Sequence, residues 1–237
     1  VTGVELKAHA KLTRSLRVVG VRDDGYHLIE AEMVALDLHD TLVVSEGHNV
    51  LEPENLVSRA LAQAGRDALV VLDKRIPAGA GLGGGSADAA AVLRWAGWTA
   101  ADAAAAVAVG ADVPFCLVGG RALVSGVGEV VEPLPFEPLA FTLLTPPLHV
   151  STPAVYEMWD RLGGPRNAIG PNDLEPAAVA LEPELARWRD RLGEATGLEP
   201  VLAGSGGTWF VEGEFEGDGL VVAHAVPAVP YTRNSRP

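Results

Sequence analysis

Residues 79–86, Gly-Ala-Gly-Leu-Gly-Gly-Gly-Ser, put five glycines into eight positions and run straight into an alanine-rich stretch that reads as a helix. Bare glycine amides, access to positive φ and the positive end of a helix dipole together make an anion nest, and phosphate is its natural occupant. A plain loop has no need of so many glycines, each of which loses extra conformational entropy on folding. The loop is not of the Walker type. That motif needs Lys and then Ser or Thr after its last glycine, whereas Ala87 and Asp88 follow Ser86 and no lysine occurs after Lys74. Gly79 to Gly84 also matches GxGxxG, but a dinucleotide fingerprint wants an acid about 20 residues further on, at the end of a second strand. Its candidate, Asp102, sits in an alanine-rich helical pattern, and a proline precedes the loop.

A bound phosphate also draws on any cation placed beside it. Cations are informative here because they are scarce. The chain has 31 Asp and Glu against 18 Lys and Arg, a formal net charge of -13, and its only lysines are Lys7, Lys11 and Lys74. The acid excess argues against duplex DNA, RNA or anionic membrane as a partner, each of which needs a clustered basic face. One cysteine, Cys116, excludes an intramolecular disulfide framework and a cysteine zinc cluster, and beside Phe115 it reads as a small core residue. The six histidines are scattered without a His-x-x-x-His pair, so no metal site of protein ligands is expected. No apolar run approaches the roughly 20 residues that span a bilayer. The N-terminus lacks the continuous apolar core of a signal peptide, and a cytoplasmic location is expected.

The elements that must position these residues follow from periodicity. Residues 1–11 and 12–22 read as strands, a polar turn follows at Asp23, Asp24 and Gly25, and apolar alternation resumes over Leu28–Val34 and Leu36–Val44. A helix is expected from Asn55 to Ala64 and a strand over 68–73. The helix after the glycine loop should start near Ser86 or Ala87, with Ser86 as N-cap, and close at Gly97. A second helix is expected around Ala100–Val109, and strand and turn pieces follow from Ala122. Pro146 and Pro147 suggest a seam, giving domains of 1–145 and 146–237. The second half offers helices at Pro153–Leu162, Pro176–Leu181 and Pro183–Thr196, with strands near 200–203, 208–212 and 219–223. This loose alternation favours an α+β class.

The segment PAGAGLGGGSADAAA resembles the ATP-phosphate loop of the GHMP kinases. The segments AKLTRSLRVVGVRDDGYHLIEAEMVALDLHD, GADVPFCLVGGRALVSGVGEVVEPL, NDLEP and AGSGGTWF, in this order, are similar to the branch acting on a cytidine-diphosphate-linked methylerythritol in non-mevalonate isoprenoid biosynthesis. The match runs from about Ala10 to Phe210. It implies an S5-like N-terminal half, a ferredoxin-like C-terminal half and an active site in the cleft between them. It also implies transfer of the ATP γ-phosphate to the tertiary 2-hydroxyl of that substrate. Lys11 and Asp112 match the catalytic lysine and aspartate. Pro77, Gly79, Gly81, Leu82, Gly83, Gly84, Gly85 and Ser86 match the nucleotide loop. Tyr26 and His27 match the pair that receives the cytosine. Thr13, Thr152, Gly204, Ser205 and Gly206 are expected at the substrate, and ATP should arrive with Mg²⁺, for which Ser86 offers a hydroxyl.

Thr13 stands where the family has Asn, Ala87 replaces a second serine, and segments near 46–54 and 98–101 are trimmed. Rival expectations are a homoserine- or mevalonate-type GHMP kinase, against which the DGYH segment argues, and a catalytically silent binding protein, against which Lys11 and Asp112 argue. Oligomeric state leaves no trace in the sequence.

Overall fold

The computed structural model describes residues 3–164 and 170–228. Val1 and Thr2, the start of the expected first strand, lie outside the described residues. The two expected pieces of strand on either side of the Asp23–Gly25 turn are continuous: β1 spans Val4–Val21 and β2 spans His27–Ser45, paired antiparallel along their length. Three irregularities in register let these strands stay paired while they bend. One lies between the pairs His9↔His39 and Lys11↔Ala35, where β2 bulges opposite Ala10. The bulge frees backbone groups of β2 for the end of the chain: Val226 N–H donates to the Ala35 carbonyl at 2.9 Å.

After β2 come α1 (Leu56–Gln63), capped by the Asn55 side chain, and β3 (Leu69–Asp73). Next are α2 (Gly84–Trp95), α3 (Ala103–Ala106), α4 (Val113–Val118), β4 (Arg121–Gly126) and β5 (Val130–Leu134). The expected 100–109 helix is shorter than its alanine content suggests. A 3-10 turn at Ala100–Asp102 precedes α3, and Asp102 is spent in a capping box with Thr99. That contact disposes of Asp102 as a ribose-binding acid. Helix α4 has no counterpart among the expected elements, because six apolar residues with Pro114 in the first turn carry no readable period.

The second half contributes β6 (Ala140–Leu144), α5 (Thr152–Arg161), α6 (Glu175–Leu181), α7 (Glu184–Thr196), β7 (Val201–Leu202), β8 (Trp209–Glu212) and β9 (Leu220–His224). The first sheet has the order β1-β2-β4-β5, with β3 also paired to β2; the second has the order β7-β8-β6-β9. All pairings within both sheets are antiparallel, and the class is α+β as expected. Sheet membership changes between Leu134 and Ala140, ahead of the division expected after residue 145; Pro146 and Pro147 follow the end of β6. Among the described residues, no helix is long and apolar enough to cross a membrane.

Ala10, Lys11, Leu12 and Thr13 are all buried in succession. An edge-exposed strand would alternate; four buried residues in a row require cover on both faces. Here α2 packs on β1 from one side, and the glycine-rich turns of both halves cover the other. Asn172 and Asp173 tie the halves together. Asp173 accepts from Val18 N–H at 3.0 Å and Arg17 Nη1 at 2.7 Å, while Asn172 Nδ2 donates to the carbonyls of Leu202 and Gly204.

Candidate active site

The glycine loop is docked by its backbone to both halves. Lys11 N–H donates to the Leu82 carbonyl at 2.9 Å, and Thr208 N–H donates to the Ala80 carbonyl at 3.0 Å. The Leu82 side chain points into the core, so only its backbone faces the loop; Pro77, Gly79 and Gly85 are exposed. Helix α2 begins at Gly84 and its N-cap is Gly83, at φ +68°, which corrects the expected start at Ser86. A left-handed glycine lets the chain enter the helix three residues earlier than a cap at Ser86 would. No side chain caps this end, and the Gly84, Gly85 and Ser86 amides have no hydrogen-bond partner among the described residues. Unpartnered amides at the positive end of a three-turn helix are what an anion requires.

Lys11 lies directly across that helix start. A Cβ added at Gly83 would stand 2.7 Å from Lys11 Cγ, so glycine is needed there both for its φ and for its lack of a side chain. Lys11 is only 6% exposed. A buried ammonium is costly unless paired, and its partners are Asp112, with Nζ 3.3 Å from Oδ2, and Thr13, whose Oγ1 accepts at 3.1 Å. Asp112 occupies the N-cap position of α4 but makes no capping bond; its carboxylate is turned to Lys11 and is about a third exposed. Thr13 is fully buried beneath Lys11, and the substrate contact expected of it becomes a contact to that lysine.

The second glycine turn, between β7 and β8, approaches from the other side. A Cβ at Gly204 would lie 3.6 Å from Lys11 Nζ, and one at Gly81 would collide with the Gly206 carbonyl oxygen. The two glycine-rich turns therefore pack backbone against backbone around the lysine. Ser205 Oγ and Thr152 Oγ1, at the start of α5, are 2.7 Å apart at the surface of this cleft.

Tyr26 and His27 separate. Tyr26 is largely exposed, with the Arg22 guanidinium 5.9 Å from its ring centroid. The His27 ring packs on Tyr156 at 4.7 Å and edge-on to Trp159 at 5.5 Å, and its Nε2 is 2.9 Å from Asp160 Oδ1. Burial, and then the Asp112 carboxylate, push the Tyr156 hydroxyl pKa up, which keeps it protonated. Tyr156 and Asp160 carried no signal in the sequence, because contacts spanning 133 residues cannot be read from spacing. Burial likewise pushes the Cys116 thiol up to about 12, consistent with an inert core residue. Among the described residues, no three His, Cys, Asp or Glu side chains gather where a metal ion could be held.

The GHMP kinases N terminal domain matches residues 54–120. A 4-diphosphocytidyl-2-C-methyl-D-erythritol kinase from Paracoccus denitrificans is 40% identical, covering 86% of this chain and 84% of that protein. One of the same name from Ruegeria pomeroyi is 37% identical, covering 95% of this chain and 94% of its own. The chain belongs to the 4-diphosphocytidyl-2-C-methyl-D-erythritol kinase family. A solved structure of 4-(cytidine 5'-diphospho)-2C-methyl-D-erythritol kinase matches the fold with a TM-score of 0.70 at 37% identity, covering 87% of this chain and 89% of that one. The chain is thus a GHMP kinase, an ATP-dependent small-molecule kinase by family, and its α+β architecture is the GHMP fold. In this member of the family the NDLEP segment is accounted for by structure: Asn172 and Asp173 hold the Gly204 turn and β1 in register.

Proposed function

We propose that the chain transfers the ATP γ-phosphate to the 2-hydroxyl of 4-diphosphocytidyl-2-C-methyl-D-erythritol, with Lys11 and Asp112 at the reacting centre. The observation that carries this is the Lys11–Asp112 pair at 3.3 Å, set beside the uncapped start of α2. The amides of Gly84 to Ser86 hold the phosphate oxygens, and the Gly79–Gly83 backbone shapes the cradle around them. Asp112, accessible on one side, orients the attacking hydroxyl and accepts its proton late in a loose transition state, as a carboxylate of low basicity must. Lys11 holds that carboxylate in place and offsets charge developing on the transferring group. Thr13 fixes the ammonium from below.

Substrate recognition falls to the outer cleft. Tyr26 offers an open ring face for stacking the base, worth roughly 1–3 kcal/mol. His27, held by Asp160 and Tyr156, reads the polar edge of the base. Thr152, Ser205 and the amides of Gly204 and Gly206 face the methylerythritol hydroxyls and the diphosphate. Mg²⁺ bound to ATP would neutralise phosphate charge; it prefers few protein ligands and retains several waters, and Ser86 would offer it a hydroxyl. In this reading residues up to about 145 bind the nucleotide, the remainder completes the alcohol site, and the enzyme works in the cytoplasm.

ATP consumption with the cytidyl substrate, compared with the same alcohol lacking its cytidine, tests the assignment. Rapid consumption with the first and little with the second is expected. Equal rates would remove the base-recognition role of Tyr26 and His27, and no consumption with either would remove the reaction.

A further inference from the structure

Lys74, one of only three lysines, stands where the chain enters the glycine loop. Its Nζ is paired with two carboxylates at once, Asp40 of β2 and Asp88 of α2, the latter at 2.6 Å. Asp40 is fully buried and Asp88 nearly so. The second oxygen of Asp40 accepts from the backbone N–H groups of Arg75, at 2.5 Å, and Ile76, at 2.8 Å. A Cβ at Gly84 would stand 3.2 Å from Ile76 and 3.3 Å from Lys74 Nζ, so the entrance of the loop lies on its exit. The cluster closes the loop at its base, with Asp40 fixing the entering backbone and Asp88 fixing the second turn of α2.

Stability alone does not account for this arrangement. Two carboxylates on one ammonium exceed charge balance, and Asp88 Oδ1 is buried without a hydrogen-bond partner. Burial pushes the Asp88 carboxyl up to about 6, against the pull of Lys74, so its ionised form is disfavoured in the folded chain relative to water. What Asp88 does provide is a second tether on Lys74, directed from the helix whose uncapped start faces the phosphates.

We infer that Asp88, Lys74 and Asp40 are positioning residues that hold the phosphate loop in its binding shape, so that their loss weakens ATP affinity while leaving turnover at saturation intact. The inference rests on the reading of residues 79–86 as the ATP cradle. Small misplacements of a preorganised site have large effects, and an effect confined to the cradle should appear in nucleotide binding alone.

The test uses the full chain, with Mg²⁺-ATP titrated by calorimetry and by steady-state kinetics at saturating cytidyl alcohol. Asp88→Ala should weaken ATP binding about tenfold, with kcat and the KM for the alcohol each within about twofold. Asp88→Asn, whose amide oxygen still accepts from Lys74, should recover affinity to within about threefold and should match or exceed the parent in Tm at pH near 7.5. Lys74→Met leaves two carboxylates facing each other, so the double variant Lys74→Met/Asp88→Asn is the cleaner removal of the tether and should behave as Asp88→Ala. Unchanged ATP affinity in both of those variants, a fall in kcat with affinity retained, or a Tm drop in Asp88→Asn would each overturn the inference. A parent enzyme that binds ATP but does not phosphorylate the cytidyl alcohol would count against the proposed substrate, and the shifts in ATP binding would still decide the role of the cluster.

Discussion

Two lysine–aspartate groups flank the same loop and are built differently. Lys74 is held by two buried carboxylates, one of them at 2.6 Å, and Asp40 also binds two backbone amides. Lys11 is itself buried, but its carboxylate partner stands off at 3.3 Å and is about a third exposed. In the first group the carboxylates are shut away from solvent behind a half-open ammonium; in the second the ammonium is buried and the carboxylate retains an open side. A carboxylate that is to meet a substrate must keep an accessible side, whereas one that only holds backbone and helix in place can be buried. The contrast separates a pair suited to chemistry from a cluster suited to geometry.

The largest effect should come from breaking the open pair. Asp112→Asn or Lys11→Ala is expected to reduce kcat by about 10³-fold or more while ATP still binds, as measured by quenched-flow turnover, and Asp112→Asn should also lower Tm because it leaves the buried Lys11 ammonium without its carboxylate. Next comes the joint between loop and lysine. Gly83→Ala would force a positive φ on an L-residue and push against Lys11 Cγ, so kcat/KM should fall about 10²-fold in the same assay, together with some loss of ATP affinity.

A smaller effect is expected in the outer cleft. His27→Ala removes the ring held by Asp160 and Tyr156, and the KM for the cytidyl alcohol should rise about tenfold or more, corresponding to about 1.4 kcal/mol, with kcat nearly unchanged. An equal rise for the alcohol lacking cytidine would place His27 outside base recognition.

The smallest concerns pH. The folded Asp88 carboxyl is raised to about 6 from an ordinary value just below 4, so the folded chain binds more protons than the unfolded chain in that interval. Its contribution to stability therefore declines as pH rises from about 4 to about 6 and is constant above. The Tm difference between Asp88→Asn and the parent should grow in favour of the variant across that window. Lys74 and Asp40 face Asp88, and neither partner is removed in the variant.

Much of this was legible in the sequence where chemistry is local. Five glycines before a helix announced an anion nest, and the scarcity of lysine directed attention to Lys11. The alternation over Leu28–Val34 and Leu36–Val44 predicted paired strands, but not the bulge opposite Ala10 that joins them into one strand, where Val226 N–H meets the Ala35 carbonyl. Ser86 looked like an N-cap because serine caps well, but Gly83 in a left-handed conformation starts the helix earlier and leaves its amides bare. Lys74 was equally rare and equally visible, yet its role depends on Asp40, 34 residues away in β2. Asp160 and Tyr156 were hidden for the same reason: residue type suggests what a side chain can do, and only the fold decides which neighbour it meets.

The central claim is that the Lys11–Asp112 pair transfers phosphate from ATP held on the start of α2. A single-turnover experiment with γ-labelled ATP and the cytidyl alcohol, comparing the parent with Asp112→Asn, tests it most directly. The account predicts label in a phosphate ester of the alcohol's 2-hydroxyl for the parent, and bound, unreacted ATP for the variant. Comparable label transfer by both proteins would contradict it.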